Sequence, residues 1–341
     1  NSRLGLQQTR PAAPHALHPQ GARRMAWILA LVILLGAGGL GAWIVLRDRE
    51  PAGGAAAGAP DAALDGPVLR IGITRYLPET QLRKEHRPLT EYLARRLQRP
   101  VRLQIVEDYV DLSAKLAQGK LELAALSSYA YVRAKRRMPT LELLATHVTN
   151  SGTTYQGLIV AKADSGITEL QDLKGKVFCY VGPNSTSGYL FPRAVLRQQG
   201  LDPDTAFRAS RFAGDHLSAL KALQSGACDG AAVFAGIFYE AAKHGMPPTG
   251  FTILGKTERI PYDAYCVPPG LPAEQVHSLR EALLALKKGS DTAASVLGER
   301  SRIIGFAAVD DSHYDSVRRI EKHLDDPRRR RDRRSPKTKD R

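Results

Sequence analysis

Two hydrophobic periods alternate along the chain from residue 68 onward. Runs that are continuously apolar, or apolar at every second position, predict strands over 68–73, 101–106, 121–126, 155–161, 177–181, 207–212 and 229–234. Apolar residues at three- and four-residue spacing predict helices over 88–98, 110–118, 217–224, 272–288 and 313–323, the second and third closed by Gly119 and Gly226. Residues 168–173 read as a helical turn, and a further strand should follow Ile260-Pro261-Tyr262-Asp263 and run through Val267. This alternation predicts an α/β architecture, with ligand positions at the C-terminal ends of the strands. Two segments stand at such ends and read as loops: Glu107-Asp108-Tyr109 and Ser127-Ser128-Tyr129-Ala130-Tyr131.

The stretch Gly182-Pro183-Asn184-Ser185-Thr186-Ser187-Gly188-Tyr189 carries the densest chemistry. It lies between the predicted strand 177–181 and a helical pattern over 190–199 that stops at Gly200. Gly-Pro-Asn is turn chemistry, and Ser185 then falls at a helix N-cap. Free amides and three hydroxyls at the positive end of a helix dipole suit a small tetrahedral anion and need no Lys. The same pattern also describes a capping Ser followed by two incidental hydroxyls. Pro192 cannot sit inside a regular helix, so a short first turn and a bend are expected here. Tyr109 can give its hydroxyl to an anion or simply pack its ring. His216, in the first turn of the 217–224 helix, can donate into a cleft or stand in solvent.

Composition, more than periodicity, describes the first 67 residues. Residues 1–24 have no apolar period and read as a disordered leader. Residues 26–46 carry no charge, long enough to cross a bilayer, so 25–46 is expected to be a transmembrane helix or uncleaved signal anchor with its N-terminus cytoplasmic. Residues 47–67, rich in Pro, Gly and Ala, read as a flexible linker. The 341 residues then suffice for about two domains. The net charge is +15, but roughly half of it falls at 327–341, in the basic tail 326–341, which weakens a nucleic-acid reading of the folded part. Cys179, Cys228 and Cys266 lack metal-ligand spacing, so buried thiols are expected, with at most one pair bridged. No P-loop, HExxH or GxSxG motif supports an enzyme.

Taken together, the residues from about 69 to 324 resemble a family: substrate-binding proteins of phosphonate, phosphite and phosphate ABC importers, of the type II periplasmic-binding fold. The most specific match is Pro183-Asn184-Ser185-Thr186-Ser187-Gly188-Tyr189 with Pro192. Asp108-Tyr109, the 119–124 segment, Tyr155 before Leu158-Ile159-Val160, Asp164-Ser165-Gly166-Ile167, Gly214 with His216, and Ile260-Pro261 with Asp263 support it. The resemblance implies two α/β lobes around an interlobe cleft, 68–156 with 264–325 and 157–263, and no cofactor or metal. It implies a small phosphorus oxyanion as ligand and an ABC permease as partner, on the extracytoplasmic face of the membrane. By position, Tyr109, Tyr155, Ser185, Thr186, Ser187, His216 and Asp263 correspond to ligand-contacting residues. A carboxylate at Asp263 repels a bound anion unless a proton lies between them, which favours phosphorus acids over sulfate. The acid that meets the amino group in binders of aminoalkylphosphonates has no counterpart before Glu240, so a cationic aminophosphonate is not expected to be preferred. Use of the same pocket to regulate a partner is the alternative role.

Overall fold

The computed structural model describes residues 66–298 and 302–325. The chain begins with β1 (Leu69–Thr74), α1 (Glu79–Leu97), β2 (Val101–Val106), α2 (Tyr109–Ala117), β3 (Leu123–Leu126), α3 (Ser128–Arg137) and β4 (Glu142–Val148). It continues through β5 (Thr154–Tyr155), β6 (Gly157–Lys162), β7 (Val177–Tyr180), α4 (Phe191–Gln198), β8 (Ala209–Phe212), α5 (His216–Gln224), β9 (Gly230–Phe234), α6 (Ile237–Lys243), β10 (Phe251–Lys256) and β11 (Ile260–Pro261). The last elements are β12 (Ala264–Val267), α7 (Ala273–Ala285), α8 (Asp291–Leu297), β13 (Gly305–Ala307) and α9 (Asp315–Asp325).

Two sheets form, in the orders β13-β4-β12-β3-β1-β2 and β10-β6-β9-β7-β8. They share one plan. In the first, β1 runs parallel to β2 and β3, while β12 lies antiparallel between β3 and β4. In the second, β7 runs parallel to β8 and β9, while β6 lies antiparallel between β9 and β10. Each antiparallel strand is the one that has just crossed from the other sheet. The two crossings, β5 and β11, pair with each other through Ile260 opposite Tyr155 and Pro261 opposite Thr154. This is the two-lobed α/β architecture that the resemblance implied, with the crossing ribbon at the floor of a cleft.

Several boundaries differ from the sequence reading. The first helix starts at Glu79 rather than at 88, with Pro88 inside it. Pro88 removes one bond to the carbonyl of Lys84, an exposed position, while Leu82, His86, Leu89, Tyr92 and Leu93 bury the opposite face and keep the helix intact. The expected loop 127–131 is the start of α3, capped by the Ser127 hydroxyl accepting from Ala130 N–H at 3.1 Å. β4, α6, β10, α8 and β13 were not assigned from the pattern at all. The leader, the expected membrane span at 25–46, most of the linker and the basic tail lie outside the described residues. Among those described, no helix is long and apolar enough to cross a membrane.

Of the alternatives left open for the cysteines, the structure takes one bridged pair and one buried thiol. Cys179 on β7 and Cys228 just before β9 form a disulfide, and only Cys266 remains a buried thiol. The two chains are brought together by the parallel pairing of β7 with β9 and by Asp229 N–H donating to Val177 O at 2.8 Å, so the Cα atoms lie 6.0 Å apart. A cross-link spanning 49 residues restricts the unfolded chain by about 4 kcal/mol on the loop-entropy estimate. Replacing both cysteines with Ala is therefore expected to cost about 2–4 kcal/mol in denaturant unfolding, and an unchanged midpoint would contradict this.

Candidate functional site

The loop after β7 folds back on itself. Ser185 N–H donates to Gly182 O at 3.0 Å, and Val181 N–H donates to Gly188 O at 3.0 Å. The Ser185 hydroxyl accepts from Gly188 N–H at 3.0 Å, as an N-cap should. The turn Thr186–Leu190 that follows is wound as a π-helix, and Phe191 N–H closes it on Thr186 O. Pro192 then occupies the first turn of α4, where a missing N–H costs little. The expected short turn and bend are thus a widened turn that precedes a regular helix.

The three hydroxyls of this loop do different things. Ser185 is spent on the cap and borders a recess of about 40 Å³ beside Gly182 and Tyr109. Thr186 Oγ1 accepts from Tyr129 N–H at 2.9 Å and from the Ser128 hydroxyl at 3.1 Å, both at the N-terminus of α3 in the first lobe. With both lone pairs occupied, its own proton is what remains to donate. Ser187 lines a cavity of about 550 Å³ between the lobes. The same end of α3 also holds Asn184: Ser127 Oγ donates to its carbonyl at 2.9 Å and Arg133 Nη1 to its side-chain oxygen at 2.5 Å.

Around the cavity, Tyr109, Tyr155, Ser187, His216 and Asp263 come together, the first from the α2 end of the first lobe, Tyr155 and Asp263 from the crossings. His216 is buried, not solvated. Asp215 caps α5 through Ser218 N–H at 2.8 Å, and His216 Nδ1 accepts from Phe234 N–H at 3.2 Å. That bond places the ring hydrogen on Nε2. Burial, and secondly the charge of Arg302, push the His216 pKa down to about 3, so the imidazole is a neutral donor at physiological pH.

Asp263 has the opposite problem. Its backbone carbonyl accepts from Thr146 Oγ1 at 3.0 Å, but its carboxylate accepts no hydrogen bond among the described residues. Burial pushes its pKa up to about 7. The phenols of Tyr109 and Tyr155 are also raised, first by burial and then by the neighbouring Asp263 charge. Tyr155 stacks on Tyr262 at 4.7 Å, which in turn packs on His147 at 4.4 Å. The arrangement is a wall of neutral donors around one carboxyl that is close to half-protonated near neutrality. Among the described residues no cluster of His, Cys, Asp and Glu could hold a metal.

Thr74, Tyr76, His147, Tyr262 and Arg302 also line the cavity and were missed. Thr74 ends β1 and Tyr76 follows it, so the strand-end rule could have found both. Tyr262 stands beside Asp263, whereas no local pattern marks His147 or Arg302.

Residues 71–314 match the family model described as "ABC transporter, phosphonate, periplasmic substrate-binding protein". The chain is 27% identical over 259 residues to the phosphate-import protein PhnD of Mycolicibacterium smegmatis, covering 71% of this chain and 81% of that one. A binding-protein component of a phosphonate ABC transporter from Pseudomonas aeruginosa aligns at TM-score 0.69 and 25% identity, over 76% of this chain and 87% of the other. PhnD1 of Prochlorococcus marinus, solved with methylphosphonate, aligns at TM-score 0.68 and 19% identity, over 75% and 98%, and so supports the fold. The chain belongs to the family of periplasmic substrate-binding proteins of phosphonate ABC transporters.

Proposed function

We propose that the chain captures a small phosphorus oxyanion, a phosphonate, phosphite or phosphate, in this cleft and presents it to an ABC permease. As a member of its family it is a binding component rather than an enzyme. One observation carries the choice of ligand: the unpaired Asp263 carboxyl, with a pKa near 7, faces Ser187, Tyr109, Tyr155 and a neutral His216. An oxyanion enters only if a proton lies between it and Asp263. Phosphorus acids with a second pKa near 6–7 can supply that proton themselves, whereas sulfate depends on the one that Asp263 holds in part near neutrality. The Cys179–Cys228 disulfide fits the extracytoplasmic location of the family. Residues 25–46 would tether the receptor to the membrane, and closure would turn on the β5–β11 ribbon between lobes 68–156 with 264–325 and 157–263. Regulation of a partner through the same pocket is not favoured, since the family is a transport component.

Isothermal titration of the purified chain with phosphite, methylphosphonate, phosphate and sulfate tests the reading. Several charge-assisted hydrogen bonds support Kd values in the micromolar range, with sulfate binding more weakly. Absence of binding by every phosphorus acid, or sulfate binding as tightly as they do, would overturn it.

A further inference from the structure

The oxyanion fills only part of the cavity. A phosphorus atom with its oxygens displaces about the volume of three waters, ~100 Å³, whereas the space between the lobes is about 550 Å³. The lobes meet on both flanks of that space. On one flank α3 holds Asn184 and Thr186. On the other, the Arg302 guanidinium of the first lobe lies 5.6 Å above the Phe234 ring of the second.

Arg302 lines this space. Its Nη2 donates to Tyr76 Oη at 3.4 Å, and the same phenol lies in the field of Asp263, so one tyrosine separates the proposed oxyanion end from the cation. His86, Phe234 and Tyr239 complete the wall there. Arg302 is paired with Glu85 at 3.1 Å, again through Nη2. Its Nε is buried with no partner among the described residues. Glu240 acts on it only through space, being ion-paired with Lys243 at 3.1 Å. The imidazoles of His86, His147 and His216 are all held toward their neutral forms, first of all by burial. Both of its acceptors, one carboxylate and one phenol oxygen, are on Nη2, which leaves N–H donors of the two Nη nitrogens in excess of them. An incoming carboxylate brings acceptors to this excess, whereas an ammonium brings only more donors.

Building on the function proposed above, we propose that the preferred ligand is a phosphonate whose organic substituent ends in a carboxylate, held by Arg302 while the phosphonate sits at Ser187, His216 and Asp263. The carbons between them pass Tyr76 and Phe234.

Titration of the full chain with 2-carboxyethylphosphonate, butylphosphonate, 2-aminoethylphosphonate and methylphosphonate tests this. The carboxyl compound is expected to bind about tenfold or more tighter than butylphosphonate, and the amino compound more weakly than both. In Arg302→Gln the ratio of carboxyl to butyl affinity, read within the variant, should collapse toward unity, and Arg302→Lys should retain part of it. Equal or tighter binding of butylphosphonate or of the amino compound by the unmodified chain overturns the inference, as does an unchanged ratio in Arg302→Gln. If methylphosphonate binds and the carboxyl confers nothing, this inference alone fails. If no phosphorus acid binds, the function proposed above fails with it.

Discussion

Asp263→Asn is expected to admit sulfate and to make the unliganded protein more stable above neutral pH. Burial raises the Asp263 pKa from 3.8 to about 7, so the ionised carboxylate is less favourable in the folded chain than in the unfolded one. The cost is absent below about pH 4, where both states hold the proton. It grows as the pH climbs between the two values and is complete above about 7. A shift of this size corresponds to about 2–4 kcal/mol once solvation by cavity water is allowed for. The Asn variant should therefore match the parent in thermal melts near pH 4 and exceed it near pH 8. The same substitution removes the charge that excludes an unprotonated anion and adds an N–H donor in its place. The gap between sulfate and methylphosphonate should then narrow relative to the parent, most clearly above about pH 7, where Asp263 of the parent is ionised. A variant that still rejects sulfate would show that discrimination resides elsewhere in the cleft.

The second large effect is expected at Gly188. A Cβ built there would lie 2.5 Å from Val181 Cβ and 2.9 Å from Ser185 Oγ, the atom that caps the turn. Val181 is β-branched, buried and directly follows β7, so it cannot swing aside. Gly188→Ala must therefore push the π-turn off the strand and carry Ser187 with it. Overpacking of this kind costs about 1–3 kcal/mol in stability, and the loss of one or two charge-assisted bonds weakens oxyanion binding by about 10- to 100-fold or more. Gly182, six residues earlier in the same loop, is the control. A Cβ there meets nothing within 4 Å. Gly182→Ala should melt and bind within a few-fold of the parent, and equal effects of the two substitutions would remove the argument from close packing.

The parts of this account that were legible in the sequence are the local ones. Strand β7, its turn, the Ser185 cap and the start of α5 at His216 are all written in neighbouring residues, and the structure places them as the pattern implies. The failures arise where a distant contact decides. Pro88 reads as a helix boundary, but burial of Leu82 and His86 against the core carries α1 through it. Three consecutive hydroxyls look alike in sequence, yet Thr186 is turned to a helix N-terminus 57 residues away, leaving Ser187 to line the cavity. Cys179 and Cys228 meet only because β7 and β9 pair. Arg302 enters the cleft from a loop that carries no motif. Local pattern thus marked the loop that borders the candidate site, while the opposite lobe set which of its atoms face the cavity.

The most direct test of the shared proton is a proton count. Methylphosphonate is titrated into the purified chain at about pH 8.5, where ligand and Asp263 are both ionised, in two buffers of different ionisation enthalpy. The account predicts uptake of close to one proton per ligand bound by the parent, and far less by Asp263→Asn. Tight binding to the parent with no proton uptake would contradict it.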